Sequence, residues 1–144
     1  MLLGEFRCET DGEGRMVLPT DFSAEMAQGA TVTRGIERCL LVYPADEWAR
    51  LSGALRERLP LTSQPARAFG RFLFSAASSC EPGAEGRVTV PRQLLQYAGI
   101  EGEAVVIGLL THLEVWQPEH WERTKSTLVE EGAVLADQLQ ELGI

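Results

Sequence analysis

Two groups that together could recognise a phosphate, a base edge or a carboxylate stand four residues apart: Asp11 and Arg15, either side of Gly12-Glu13-Gly14. A guanidinium donates through a planar, fixed fork that matches phosphate, guanine or a second carboxylate. A carboxylate on the opposite arm of a tight turn holds that fork and leaves its free edge for a ligand. The two glycines allow the positive φ angles such a turn needs. The same pair could also simply staple two strands, and the spacing alone leaves both roles open.

Other chemistry has little to work with. Cys8, Cys39 and Cys80 form no C-x-x-C pair, and Cys8 and Cys80 suit small buried strand positions. His112 and His120 lack a cluster at ligand spacing, so no metal site is expected. No Ser-His-Asp or Cys-His set is visible, and the loop lacks the Lys-Ser/Thr of a nucleotide phosphate loop. A carboxylate pair such as Asp11 with Asp21 is the weak remaining candidate for acid–base work. We expect no enzyme, no catalytic residue, no cofactor and no small-molecule substrate.

The elements that must position Asp11 and Arg15 are written twice. Cys8-Glu9-Thr10-Asp11-Gly12-Glu13-Gly14-Arg15-Met16-Val17-Leu18-Pro19 returns 72 residues later as Cys80-Glu81-Pro82-Gly83-Ala84-Glu85-Gly86-Arg87-Val88-Thr89-Val90-Pro91. Further on the echo shifts to 73, with Val32, Gly35, Leu40, Val42 and Trp48 answered by Val105, Gly108, Leu113, Val115 and Trp121. Two copies are too few for a solenoid, so a tandem duplication of one β-rich module is expected. In the first copy, residues 5–8 and 15–18 read as strands and 20–28 as a short helix closed by Gly29. Residues 30–34 and 39–43 read as a hairpin around Gly35. The second copy gives a strand at 87–90, a helix at 91–98 closed by Gly99, and a hairpin from 104–109 and 112–116. Helices are expected at 46–59, at 66–74 and from Pro118 to about 139, the last weakened by Gly132.

Charge divides the copies. The net charge is −8, but residues 1–72 carry −1 and residues 73–144 carry −7. Twelve of the thirteen basic residues are Arg, the side chain suited to bidentate contacts. With no apolar run long enough to span a bilayer and no leader-like start, a cytoplasmic protein without a membrane partner is expected.

The chain resembles the MraZ family of bacterial transcriptional regulators, built from two tandem AbrB-type swapped-hairpin modules. The resemblance is carried by Gly4-Glu5-Phe6, residues 11–19, Thr33-Arg34-Gly35, and Cys39 through Pro44 with Glu47-Trp48. It continues through residues 66–74, Glu85-Gly86-Arg87 to Pro91, and Tyr97-Ala98-Gly99-Ile100. It spans about residues 1–125 and leaves out the last twenty or so. It implies an α+β, β-rich fold in which the two modules form a pseudo-symmetric β-barrel core with linking and C-terminal helices. The modules would be residues 5–47 and 76–119, with a helical linker at 48–75 and a C-terminal extension at 120–144.

The resemblance also implies double-stranded DNA as partner, at promoter direct repeats of the division and cell-wall gene cluster. A nucleoid-associated, ring-like homo-oligomer would engage them. Asp11 and Arg15 keep the family's Asp-x-x-x-Arg motif, whereas the second copy keeps Arg87 and has Gly83 in place of the Asp, with Glu81 or Glu85 as substitutes. The expected DNA-facing residues are Arg15, Asp11, Arg7, Gly14, Arg34 and Arg38; Arg87, Arg67, Arg71 and Phe69 are expected in the fold or between subunits. A few cations per protomer would bind weakly and with strong salt dependence, so several faces on one oligomer would act together. The alternative is a non-catalytic interaction or scaffolding oligomer with no direct DNA role, which the net charge favours.

Overall fold

The computed structural model describes residues 1–143. Strand β1 (Leu2–Glu9) leads through the Asp11 turn into β2 (Arg15–Val17) and α1 (Thr20–Glu25). A hairpin follows, β3 (Ala30–Arg34) and β4 (Leu40–Pro44), and then α2 (Ala45–Arg58) and α3 (Gln64–Phe74). The second copy repeats the order as β5 (Ser78–Cys80), β6 (Arg87–Thr89), α4 (Arg92–Ala98), β7 (Glu103–Leu110), β8 (Leu113–Trp116) and α5 (Pro118–Gln138).

The two copies are interleaved. Six antiparallel strands run in the order β1-β7-β8-β4-β3-β5, so each copy's first strand pairs with the other copy's hairpin. Cys8 stands opposite Ala104 and Cys80 opposite Ala30, which makes the two junctions equivalent. The remaining strands, β2 and β6, form a separate two-stranded ribbon. The fold is thus α+β, mostly antiparallel, with five α-helices among the described residues.

The expected barrel does not close. β1 and β5 are the two sheet edges, and the ribbon lies apart, with a Thr10–Met16 bridge just beyond the end of β1. Met16 and Val88 of the ribbon share one core with Phe22 of α1, Leu94 of α4 and the inward residues Val32, Leu40, Val106 and Val115 of the sheet. The opposite sheet face holds a smaller core of Cys39, Val105, Ile107, Trp116 and Trp121 under α5.

The hairpin echo slips by one residue in the structure. Val32 pairs with Val42, but the residue opposite Val115 is Val106. Val106 is therefore the counterpart of Val32, and Val105 points to the other face. A shift of one residue inverts every side chain of a strand, and ungapped matching of two valines cannot see it. Gly108 lies inside β7, within the strand expected at 104–109: a Cβ there would sit 2.5 Å from the backbone of Leu2 and Leu3, so the glycine lets β1 approach. The first short helix also ends sooner than expected, at Glu25, with turns covering the residues up to Gly29. α4 closes on left-handed Gly99 as the sequence suggests, and α5 runs unbroken through Gly132.

Candidate nucleic-acid interface

The Asp11 turn is built by one carboxylate. Its Oδ1 accepts from the backbone N–H groups of Glu13 (2.9 Å) and Arg15 (3.0 Å), and its Oδ2 accepts from Arg15 Nε at 2.7 Å. Backbone bonds from Asp11 to Arg15 O and from Gly14 to Asp11 O close the loop at 3.0 and 3.1 Å. These N–H donors, with the guanidinium behind them, hold the Asp11 carboxyl at about 2. Gly14 has φ +81°, and a Cβ on it would lie 2.3 Å from Val90 O, so the turn and the ribbon can approach only through glycine. Its carbonyl takes the N–H of Val90 at 2.9 Å, and Gly86 takes that of Leu18 at 3.1 Å in the matching position.

Arg15 lies on the exposed face of the ribbon. In register, Arg15 faces Thr89 and Val17 faces Arg87, while Met16 and Val88 point into the core. Arg15 and Arg87 are therefore diagonal neighbours on one outward surface, with backbones about 7–8 Å apart. Each copy contributes one arginine to this surface, Arg15 from the first and Arg87 from the second. The signal was present in the sequence: Arg15-Met16-Val17 and Arg87-Val88-Thr89 share a period-two pattern that places both arginines on the same side. Sequence reading also missed Arg92, the first residue of α4, which lines a cleft of about 350 Å³ with Asp11, Glu13 and Gly14.

Of the other expected arginines, Arg7 and Arg34 are engaged within the fold. Arg7 reaches Glu103 at 2.7 Å and Glu122 at 3.3 Å, tying β1 to β7 and α5. Arg34 donates to Phe72 O (2.9 Å) and Ser75 Oγ (3.1 Å) and lies over the Phe72 ring, fastening β3 to α3. Arg38 lies over the Tyr97 ring, 5.0 Å from its centroid, and pairs with no carboxylate among the described residues. Arg15 itself has a second carboxylate nearby, Glu13 at 3.3 Å. Arg67 donates to Leu61 O at 2.8 Å, and Phe69 packs on Phe72, both within the α2–α3 region.

The cysteines are buried and free, and burial pushes the Cys39 thiol up to about 12 and Cys80 to about 11. They are packing residues, inert as nucleophiles near neutral pH. No described helix is long and apolar enough to cross a membrane.

The family described as "MraZ protein, putative antitoxin-like" matches this chain twice, over residues 1–72 and 73–140. The chain is 39% identical over 144 residues to a protein of Caldicellulosiruptor saccharolyticus named Transcriptional regulator MraZ, covering all of both chains. It is 40% identical over 146 residues to the protein of that name from Caldicellulosiruptor bescii, and 38% over 144 residues to that from Halothermothrix orenii, again end to end. With both halves matched and relatives aligned along their whole length, the chain belongs to the MraZ family.

Proposed function

We propose that the protein is a sequence-specific DNA-binding transcriptional regulator, acting without catalysis at promoter direct repeats of the division and cell-wall gene cluster. The observation that carries this reading is a guanidinium held by Asp11 on the exposed face of a two-stranded ribbon. The major groove of B-DNA admits a two-stranded β-ribbon, and a pre-oriented Arg can donate two bonds to the O6 and N7 edge of guanine. Asp11 fixes the guanidinium through Nε, which leaves the terminal nitrogens for that contact once Glu13 turns aside. Arg87, on the same face, serves as the second contact, and Arg38 is free to join them. Gly14 and Asp11 shape the turn, whereas Arg7 and Arg34 act by fixing the elements beneath it.

In this reading the units are the modules at 5–47 and 76–119, interleaved with the linker at 48–75 and extended by residues 120–144. Each protomer offers few cations, so a ring-like homo-oligomer on spaced repeats gains its hold by effective concentration. Its place would be the nucleoid within the cytoplasm. The test is a gel shift on DNA from upstream of that gene cluster over a salt series, wild type beside Arg15→Ala. Retention that weakens with salt and is lost in the variant, with an unchanged circular dichroism spectrum, is the expected result. Undiminished binding by Arg15→Ala would remove the assignment. Salt-insensitive self-association with no DNA retention would select the scaffolding alternative.

A further inference from the structure

The two copies end differently. Trp48 of α2 packs on Tyr43 and Trp121 of α5 on Trp116, with ring centroids 5.9 and 5.3 Å apart, so the two helices occupy equivalent places. α2 is then partnered by α3, whose Phe74 stands edge-on to Trp48 at 5.8 Å. Beyond α5 the described residues form only a short 3-10 turn, Gln140–Leu142. The stripe that starts at Trp121 continues as Leu128 and Leu135, whose spacing keeps them on one side of α5, and Leu139 follows as the capping residue. From residue 126 to 139 every described side chain except Ala136 is exposed, Val129 and Val134 included. The same stretch is acidic. Residues 126–144 hold Glu130, Glu131, Asp137 and Glu141 and no Lys or Arg, which is most of the −7 of the second half.

A surface of the opposite character lies between α2 and α3. It is a groove of about 600 Å³ lined by Leu55, Leu59 and Phe74 and by Arg56, Arg67 and Arg71, with no carboxylate among its lining residues. Those three arginines pair with no acid, and the four tail acids with no cation, among the described residues. An amphipathic helix laid in an apolar groove, anchored by residues seven and four apart, is a recurring mode of recognition. We infer that the C-terminal half of α5 of one copy docks in the α2–α3 groove of a second copy, its leucines on the apolar lining and its acids against the arginines. The inference rests on the proposed self-assembly and names the faces that make it.

The chain's own groove is a poor destination for its tail. The first turns of α5 are pinned to β1, where Trp121 Nε1 donates to Glu5 at 2.6 Å and Lys125 Nζ lies 3.1 Å from the same carboxylate. α2 and α3 pack instead on β3 and β4, and β3 is four strands from β1, about 19 Å across the sheet. A continuous helix of 21 residues, about 30 Å long, cannot fold back over itself to reach them. A tail-to-groove contact is also heterologous, each copy giving one face and receiving the other, and such contacts close into rings when the rotation allows.

The experiment reverses charge on each face of the full chain, Arg56→Glu with Arg71→Glu in the groove and Glu130→Arg with Glu131→Arg on the tail. Mass is then read by sedimentation velocity at matched concentration. Wild type should sediment as a multimer and each double variant should fall toward the 15.8 kDa monomer. An equimolar mixture of the two variants should regain the multimer, because each then offers the other a complementary face; recovery rules out misfolding as the cause. Multimers of unchanged mass in both variants would overturn the docking and leave self-assembly standing. Loss in both without recovery on mixing would also overturn it. A monomeric wild type would instead overturn the assembly reading.

Discussion

The turn at Asp11 and the turn at Gly83 close with the same pair of backbone bonds and differ at their first residue, a carboxylate in one and a glycine in the other. Gly83 N–H bonds Arg87 O at 2.7 Å and Gly86 N–H bonds Gly83 O at 3.3 Å, the same two bonds that Asp11 and Gly14 make in the first copy. The first turn adds a carboxylate that satisfies two backbone donors and grips Arg15; the second has nothing at that place. Arg87 is left with Glu85 at 3.8 Å, a loose exposed pair of little energetic weight. Those two closing bonds therefore do not need the Asp, although the turn without it carries Glu85 in the left-handed region at φ +62°. What the Asp adds is orientation of the guanidinium, a property that matters to a ligand more than to the turn itself.

The sharpest way to break this comparison is to remove the two arginines one at a time. Arg15→Ala should lower affinity for repeat DNA by roughly 100-fold and Arg87→Ala by about 10-fold, within the range for one directional base contact and one looser contact. Gel-shift titrations at a single salt concentration would measure both, and equal losses would show that orientation by Asp11 confers no advantage.

Two glycine substitutions sharpen the contrast. Gly14→Ala forces a Cβ to 2.3 Å from Val90 O at φ +81°, and should cost about 1–3 kcal/mol in urea unfolding. Gly83→Asp meets only ordinary contact, 3.5 Å from Arg87 O. It should leave the unfolding midpoint in place and raise DNA affinity about threefold, by giving Arg87 the grip that Arg15 has. A drop in affinity would mean that the second copy is better without its carboxylate.

The smallest effect is that of pH. Asp11 titrates at about 2 instead of its ordinary 3.8 because the folded turn stabilises its charged form. A depressed carboxylate favours the fold fully above its unfolded value and loses that contribution as pH falls through the folded one. Carboxyl-carbon NMR should place the Asp11 midpoint near 2, and DNA binding should show no step from this group between neutral pH and about pH 4. A midpoint near 3.8 would mean that the turn is not closed by Asp11 in solution.

Much of this molecule was legible from local pattern. The duplication, the hairpins, the Gly99 cap and the Asp11–Arg15 pair depend on residues close in sequence, where turn chemistry and periodicity act directly. The hairpin register in the second copy was misread because an ungapped echo of valines hides a loop shorter by one residue, and only strand pairing reveals which valine faces the core. Arg7 and Arg34 looked as available as Arg15 because their partners, Glu103 and Phe72 O, lie 96 and 38 residues away.

By itself the sequence determined that there are two copies of one module and that only the first carries the Asp beside its Arg. Alternation and turn glycines act over a few residues and need no distant partner. Tertiary structure alone decided that the copies exchange their first strands, and that β2 and β6 meet as a ribbon bringing Arg15 and Arg87 to one face. It also decided that α2 is packed by α3, while α5 has no counterpart of that helix among the described residues. Those outcomes follow from which half buries whose apolar edge, a choice made between segments about 70 residues apart that no local pattern encodes.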